Sequence, residues 1–185
     1  MTFLFSWRGL LDSAPVADRP GKRSKAISQL QFPIAASERI AILAEGFRMS
    51  KNTRQFGPNE LEAIAAYTPQ SMVAGLEDAF ALQAQPLEHG IVILTSMNDN
   101  PLTQRDRDKL WRLFGVPVFE FLRSADSNVI ARECECHDGL HVDAMPTLPE
   151  NWSAEFVKDH CECGLETPRI KALAKVTRKA HAAAA

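Results

Sequence analysis

All four cysteines of this 185-residue chain lie in its last third, in two short motifs of similar form. The motifs read RECECHDGLH at 132–141 and HCECGLETPR at 160–169. A disulfide framework usually spreads its cysteines through a small secreted domain, and the two cysteines of a Cys-x-Cys pair rarely bridge each other. Paired cysteines beside histidines are more typical of metal ligands. The two motifs therefore predict one metal site that joins separate parts of the chain.

The two motifs differ in how definitely they specify ligands. The first offers two pairs, Cys134 with His141 or Cys136 with His137. Gly139 permits the tight reversal that brings a second ligand back toward the first. In the second motif, Cys161 and Cys163 are followed directly by a glycine, where backbone N–H groups can turn toward sulfur. Thiolate together with imidazole favours zinc, and a full set of protein ligands indicates a structural site.

The composition excludes several other classes of protein. An apolar share of 45% and a charged share of 24% are ordinary for a globular chain, and the length suits one domain. The net charge of -2 argues against a nucleic-acid binder, whose affinity comes largely from lysine and arginine. No stretch approaches the roughly 18 uncharged apolar residues of a membrane span, and the start MTFLFSWRGLL lacks a basic n-region and a cleavage site. We therefore predict a cytoplasmic protein that binds neither nucleic acid nor membrane.

Apolar periodicity and capping residues predict five helices. In the clearest of them, Thr103 caps the helix and Gly115 ends it. Leu110, Trp111 and Phe114 are expected on its inner face. The five predicted helices cover 37–51, 59–67, 68–85, 103–115 and 152–160.

Runs of β-branched and aromatic residues predict five strands, at 90–96, 116–122, 128–134, 140–144 and 167–173. Helix and strand alternate up to residue 123, which is typical of a parallel sheet, whereas the strands after it follow one another closely. The predicted fold class is α/β: a mostly parallel sheet flanked by helices, with an appended small mixed-strand zinc-binding subdomain. The predicted divisions are an N-terminal arm at 1–25, an α/β core at 26–125, a zinc-binding β-rich segment at 126–175 and a flexible tail at 176–185.

Several pieces of the chain follow one another in the order of a known enzyme family. They are GIVILTS at 90–96, NPLTQRDRDKLWRLFGVPVFE at 100–120, RECECHDGLHV at 132–142 and HCECGLETPRI at 160–170. This order resembles part of the phenylacetate-CoA ligase family of adenylate-forming enzymes, some members of which carry a zinc site in the corresponding cysteine motifs. The resemblance implies the zinc ligands Cys134, His141, Cys161 and Cys163, with Cys136 as a spare.

The same resemblance implies that the family's catalytic groups are absent. Where the family has Tyr-Gly-x-Thr-Glu, this chain reads Phe-Leu-Arg-Ser-Ala at 121–125, so Ala125 replaces the glutamate expected to hold magnesium. The family's Gly-Glu-Pro loop reads Asn-Asp-Asn-Pro at 98–101, and its phosphate loop and lid domain are not found. Adenylation needs positioned cations and donors around the transferred phosphate. We therefore expect no ligase activity.

These observations lead to one main hypothesis and two alternatives. The main hypothesis is a non-catalytic, zinc-stabilised, ligase-like domain that acts as a protein-binding or assembly module. The first alternative is an enzyme subunit that binds an acyl, nucleotide or CoA-like ligand and works with a separate catalytic chain. A zinc-dependent hydrolase is a weaker third, because a catalytic zinc usually keeps one position for water.

The N-terminal segment gives a reason to expect a protein partner or self-association. It carries large apolar side chains at Phe3, Leu4, Phe5, Trp7, Leu10 and Leu11. Apolar patches of this kind usually mark contacts with another chain. The alternative is that the segment folds back over its own sheet and protects a strand edge.

Overall fold

The computed structural model describes residues 37–47, 49–57, 59–82 and 86–176. The described strands are β1 Ile40–Ile42, β2 Thr53–Gln55, β3 Ser71–Gly75, β4 Gly90–Ser96, β5 Val118–Arg123, β6 Val129–Glu133, β7 Leu140–Val142, β8 Trp152–Val157 and β9 Arg169–Lys175. The described helices are α1 Leu61–Tyr67, α2 Leu76–Ala81 and α3 Gln104–Phe114. The predicted arm at 1–25 and the predicted tail beyond Val176 lie outside the described residues.

The nine described strands form one sheet in the order β2-β1-β3-β4-β5-β6-β7-β9-β8. The pairings from β2 to β5 are all parallel, and those from β5 to β8 are all antiparallel. The prediction of a mostly parallel sheet is therefore correct for β1 to β5. It is wrong for the sheet as a whole, because half of the pairings are antiparallel. The short connections between β5, β6 and β7 allow only antiparallel neighbours there, because a parallel pair needs a long crossover. The strands that flank the cysteine motifs continue the same sheet and are not appended to it.

The parallel half of the sheet has a large apolar core. β4 is buried along nearly its whole length, as its β-branched sequence predicted. All three helices contribute to the same apolar cluster, through Ile64 of α1, Ala79 of α2, and Leu110 and Phe114 of α3. The helices therefore cover one face of the parallel strands.

Helix α3 confirms its predicted ends but not its entire predicted inner face. The Thr103 hydroxyl accepts a hydrogen bond from the Asp106 N–H at 3.2 Å, and Gly115 ends the helix with a φ of 69°. Trp111 is 60% exposed, so its assignment to the core was wrong. Leu110 and Phe114 are four residues apart and define the buried face, and Trp111 is turned away from it. Within the described residues, no helix has the length and apolar character needed to cross a membrane.

In the parallel half, two segments predicted as helices contain strands instead. Within 37–51, β1 pairs with both β2 and β3, and Ala41 and Ile42 are fully buried. Within 68–85, β3 lies between β1 and β4, and among the residues of this segment that the structure describes only the following α2 is helical. Short apolar runs fit a buried strand and a buried helix equally well. In the folded chain, pairing with strands that are distant in sequence makes these two runs strands.

The antiparallel half follows the predicted strands more closely. β4, β5, β6, β7 and β9 each overlap one of the five predicted strands, which confirms those predictions. The helix predicted at 152–160 is wrong, because β8 occupies this region and pairs with β9. Its burial alternates at the start, with Trp152 buried and Ser153 exposed, which is the pattern of a sheet edge covered on one face.

Candidate metal centre

Strand pairing brings the two cysteine motifs together. The first motif connects β6 to β7, and the second connects β8 to β9. β7 and β9 are direct neighbours, with His141 opposite Arg169. Each motif makes a tight turn: the His137 N–H donates to the Cys134 carbonyl at 3.1 Å, and the Gly164 N–H donates to the Cys161 carbonyl at 2.9 Å.

The four residues Cys134, His141, Cys161 and Cys163 form one compact cluster. Their ligand atoms all lie within 4.8 Å of one another. The sulfur atoms of Cys134 and Cys161 are 3.7 Å apart, and the Cys163 sulfur is 3.4 Å from His141 Nε2. With Zn–S distances of about 2.3 Å and Zn–N distances of about 2.0 Å, tetrahedral ligand atoms lie roughly 3.5–3.8 Å apart. The spacing and chemistry of the cluster are thus compatible with a metal ion of the size of zinc.

His141 is oriented for coordination by a residue of the second motif. Its Nδ1 lies 2.9 Å from the Thr167 hydroxyl, which leaves Nε2 directed at the cysteines. Burial lowers the pKa of His141, and the positive charge of Arg169 lowers it further. The neutral imidazole is the form that binds a metal, and a hydrogen bond at the other ring nitrogen is the usual means of fixing such a ligand.

The protonation of the buried thiols is strongly perturbed. Burial raises the pKa of the Cys134 thiol to about 12, and hydrogen bonds with neighbouring thiols add to the effect. Burial also opposes ionisation of Cys161, but hydrogen bonds from Cys163 and Cys134 outweigh it and lower the pKa of that thiol. Simultaneous ionisation of the cluster therefore needs a cation, and a divalent metal supplies that charge directly.

Arg169 joins the two motifs beside the cluster. It is fully buried, and its guanidinium bonds to Asp138 of the first motif and Asp159, just before the second. It also donates to the Asp138 carbonyl at 2.9 Å. Lys171 adds an ion pair to the same Asp138 side chain. These contacts hold the two turns in fixed relation, which is the arrangement that a metal shared between them requires.

The remaining cysteine and histidines of the described chain lie outside the cluster. His137 stacks on Phe119 with ring centroids 4.7 Å apart and bonds to Glu133. Cys136 is partly exposed. The His160 carbonyl accepts a hydrogen bond from Arg169 at 3.4 Å. His89 is partly buried, and its Nδ1 lies 2.9 Å from the Ser37 hydroxyl.

Two glycines shape the turns, for different reasons. Gly139 has a φ of 92°, and a Cβ there would lie 2.6 Å from the Ile170 carbonyl oxygen. This position requires glycine for space as well as for backbone conformation. Gly164 has a φ of 81° but no atom within 4 Å of a built Cβ, so it is needed for conformation alone. The reversal expected at Gly139 is present.

The carboxyl ends of the parallel strands form a second region of interest, because open α/β sheets commonly bind ligands there. At the end of β5, Arg123 donates to the carbonyls of Ser127 and Glu45 at 2.9 and 2.8 Å and lies over the Phe47 ring. Ala125 lies in the exposed turn between β5 and β6. A cavity of about 520 Å³ after β1 and β2 is lined in part by the acids Glu45, Glu60 and Asp78. An acidic lining is unfavourable for a phosphate group.

Sequence reasoning missed the residues that support the cluster. Thr167, Arg169, Asp138 and Asp159 carried no separate signal of their own. The Thr-Pro-Arg triplet at 167–169 was noted only as part of a resemblance. A buried arginine that bridges two distant aspartates is visible only once β7 and β9 are paired.

Comparisons with known proteins give a likeness of fold. No protein-family model and no curated protein matches the chain. Among solved structures, the chain is similar to an open conformation of 2-hydroxyisobutyryl-CoA ligase in complex with 2-HIB-AMP and CoA, with a TM-score of 0.54 and 10% sequence identity. The match covers 76% of this chain and 45% of that one. The chain is therefore similar in fold to less than half of that ligase chain.

Proposed function

We propose that Cys134, His141, Cys161 and Cys163 hold one structural zinc ion. The observation that carries this is the fit of the 3.7 Å and 3.4 Å separations to tetrahedral coordination. Three thiolates and one imidazole favour zinc over harder cations. Four protein ligands leave no position for a reactive water, so the ion has a structural role. Persistent free thiols of this kind fit a reducing, cytoplasmic compartment.

We further propose that the domain is a non-catalytic relative of adenylate-forming enzymes, with motifs that resemble those of the phenylacetate-CoA ligase family. Ala125 cannot hold the magnesium ion on which adenylation depends. Arg123 already uses its guanidinium on two backbone carbonyls. The acids at the neighbouring strand ends oppose a triphosphate. These features support loss of the reaction with retention of the fold.

A domain of this kind acts as a protein-binding or assembly module. The apolar side chains in the first eleven residues support such a role. Deleting residues 1–20 tests it: self-association or partner capture should be lost, while zinc content and melting temperature stay unchanged. Unfolding of the deleted chain would show that the segment belongs to the core, and would contradict its role as an interaction segment.

The fold likeness to a ligase bound to 2-HIB-AMP and CoA favours one alternative, a subunit that binds an acyl, nucleotide or CoA-like ligand beside a separate catalytic chain. Thermal-shift measurements with ATP, AMP and CoA separate the two functions. A module without a nucleotide site shows no shift. A saturable rise in melting temperature with any one of the three would favour the alternative.

Two measurements test the main proposal directly. Metal analysis of protein purified without added metal should give about one zinc per chain, and absence of any ion would contradict the site. The protein alone should not exchange pyrophosphate into ATP with aryl or fatty acids. Robust exchange that is lost on changing Asp99 or Asp126 would restore an enzymatic function.

A further inference from the structure

A groove of about 620 Å³ lies between α3 and β9, away from the metal cluster. Leu140 lines this groove, whereas the next residue of β7, His141, belongs to the cluster. Successive side chains of a strand point to opposite faces of a sheet, so the groove and the cluster lie on opposite faces. The polar and aromatic residues of the groove that matter here are Arg107, Asp108, Trp111, Glu120, Glu133 and His137.

Two nearly buried carboxylates lie along one side of this groove. Glu120 is 6% exposed and Glu133 is 5% exposed. Arg107 bonds to both, at 3.3 Å from Glu120 Oε2 and 2.9 Å from Glu133 Oε2. Glu120 Oε1 accepts two further bonds, from the Thr95 hydroxyl and the Leu102 N–H. Each carboxylate oxygen can accept two hydrogen bonds, so Glu120 Oε2 retains an acceptor position.

His137 is positioned by the same network. Its Nδ1 lies 3.0 Å from Glu133 Oε1, and its ring stacks on Phe119. The backbone of His137 has a φ of 51°, a conformation that non-glycine residues adopt only when their surroundings impose it. Because a carboxylate can only accept, Nδ1 carries the proton toward Glu133. His137 therefore helps to hold the Glu133 side chain in place beside the groove.

The charges around the groove are unbalanced. Asp108, Glu120 and Glu133 line it, and Arg107 lies between the latter two. The other cation of the lining, Lys171, is already paired with Asp138, which does not line the groove. Burial raises the pKa of Glu120, and bonds from Thr95 and Leu102 and the charge of Arg107 oppose this only in part. A further positive charge in the groove would therefore be stabilised.

The rim of the groove carries an exposed aromatic ring. Trp111 is 60% exposed on α3 and lies one helical turn from Asp108. An indole face attracts organic cations by cation–π interaction, and tryptophan is the strongest side chain for this contact. An aromatic face, a spare carboxylate acceptor position and an excess of negative charge are the features that recognise an ammonium or guanidinium group.

We propose that this groove binds an organic cation, a protonated primary amine or a guanidinium. Its N–H groups donate to Glu120 Oε2, and its carbon chain lies against Trp111. The proposal does not depend on the metal site or on the loss of ligase activity. The same chemical group exists in free amines and in lysine and arginine side chains of peptides, and both sources are compatible with an open groove.

Calorimetric titration of the full-length, metal-loaded chain at low ionic strength tests this site. The probes are butylamine and agmatine as cations, with butanol and butyrate as matched neutral and anionic ligands. Saturable binding is expected for the two cations only. No saturable binding of either cation, or equal binding of butyrate, would overturn the proposal.

Exposed positions provide variants that keep the fold intact. Trp111→Ala and Asp108→Asn should each weaken cation binding about tenfold, within the range of one cation–π contact or one close charge. Asp126→Asn removes an exposed acid that does not line the groove, and should bind as the unmodified chain does. If Trp111→Ala binds the cations unchanged, the groove is not the site and the proposal fails.

A peptide arm of the same titration identifies the source of the cation. A capped tripeptide with a central arginine is compared with agmatine. Tighter binding of the peptide assigns the groove to a protein side chain, and tighter binding of agmatine assigns it to a small molecule. Each result supports a cation site, provided that Trp111→Ala weakens the binding.

Discussion

The two halves of the sheet are stabilised in different ways. In the parallel half, sixteen buried apolar residues form one cluster between the strands and the three helices. In the antiparallel half, the corresponding cluster has six buried residues and no described helix covers it. That half instead contains the cysteine–histidine cluster and the fully buried Arg169. Polar and metal-ligating groups thus take the place of apolar burial where the core is small.

This difference explains why the metal ligands lie in the antiparallel half. A small group of short strands buries too little apolar surface to offset the entropy of ordering its loops. The proposed metal, shared by two turns, would supply the missing stability, because the free energy of metal binding to a folded site is also free energy of folding. The parallel half needs no such support, and its stability should be independent of metal.

The largest expected effect is loss of a buried ligand. Cys161→Ser should lower the free energy of unfolding by several kcal/mol, on the order of the loss of a structural zinc ligand. Cys136→Ser is the matched control and should change it by about 0.5 kcal/mol or less. Thermal unfolding with and without a strong chelator measures both. Equal destabilisation by the two substitutions would contradict the assignment of the ligands.

The second effect concerns the apolar core of the parallel half. Leu110→Ala removes a fully buried side chain and should lower the free energy of unfolding by about 2–5 kcal/mol. Lys109→Ala, on the exposed side of α3, is the control and should cost about 0.5 kcal/mol or less. Zinc content should stay at one per chain in both variants. Loss of zinc from Leu110→Ala under folding conditions would show that the two halves are not independent.

A third substitution tests the link between the two motifs. Arg169→Met keeps most of the buried volume but breaks the bonds to Asp138 and Asp159, and should cost roughly 1–3 kcal/mol. Because the two turns are then less firmly held, zinc should pass to a competing chelator faster than from the unmodified protein. Transfer at an unchanged rate would mean that the strand pairing alone positions the turns.

The two glycines of the motifs form a matched pair of smaller effects. Gly164→Ala should lower the free energy of unfolding by about 1 kcal/mol, because alanine is strained at a positive φ and no other atom lies close to the added Cβ. Gly139→Ala should lower the free energy of unfolding further, because the added Cβ also lies 2.6 Å from the Ile170 carbonyl oxygen. Denaturant unfolding of both variants gives the difference. A larger loss of stability for Gly164→Ala would show that the backbone at Ile170 moves away from the added Cβ of residue 139 at little energetic cost.

The smallest expected effect is a change in pH dependence. Burial raises the folded-state pKa of Glu120 above 4.5. The contribution of Glu120 to the free energy of unfolding is therefore most favourable below pH 4.5 and declines as the pH rises through the folded-state pKa. Glu120→Gln removes this decline. From pH 4.5 upward, the free energy of unfolding of Glu120→Gln should therefore rise relative to that of the unmodified chain. A shift in the opposite direction would contradict the raised pKa.

The candidate site was predictable from sequence to a defined extent. Two Cys-x-Cys pairs with adjacent histidines were sufficient to predict a shared metal site. The residues alone did not decide between His141 and the pair of Cys136 and His137, and only the family resemblance favoured His141. In the structure, His141 lies on β7 against the second motif, whereas His137 turns to Glu133 and Phe119.

The sequence by itself determined the features whose causes are local. The cap and stop of α3, the buried strand at 90–96 and the ligand types of the cysteine motifs all follow from neighbouring residues. Only the tertiary structure decided β1, β3 and β8, the antiparallel half of the sheet, and the buried bridge made by Arg169. Each depends on strand pairing, which joins residues far apart in sequence and so overrides the local periodicity that had predicted helices.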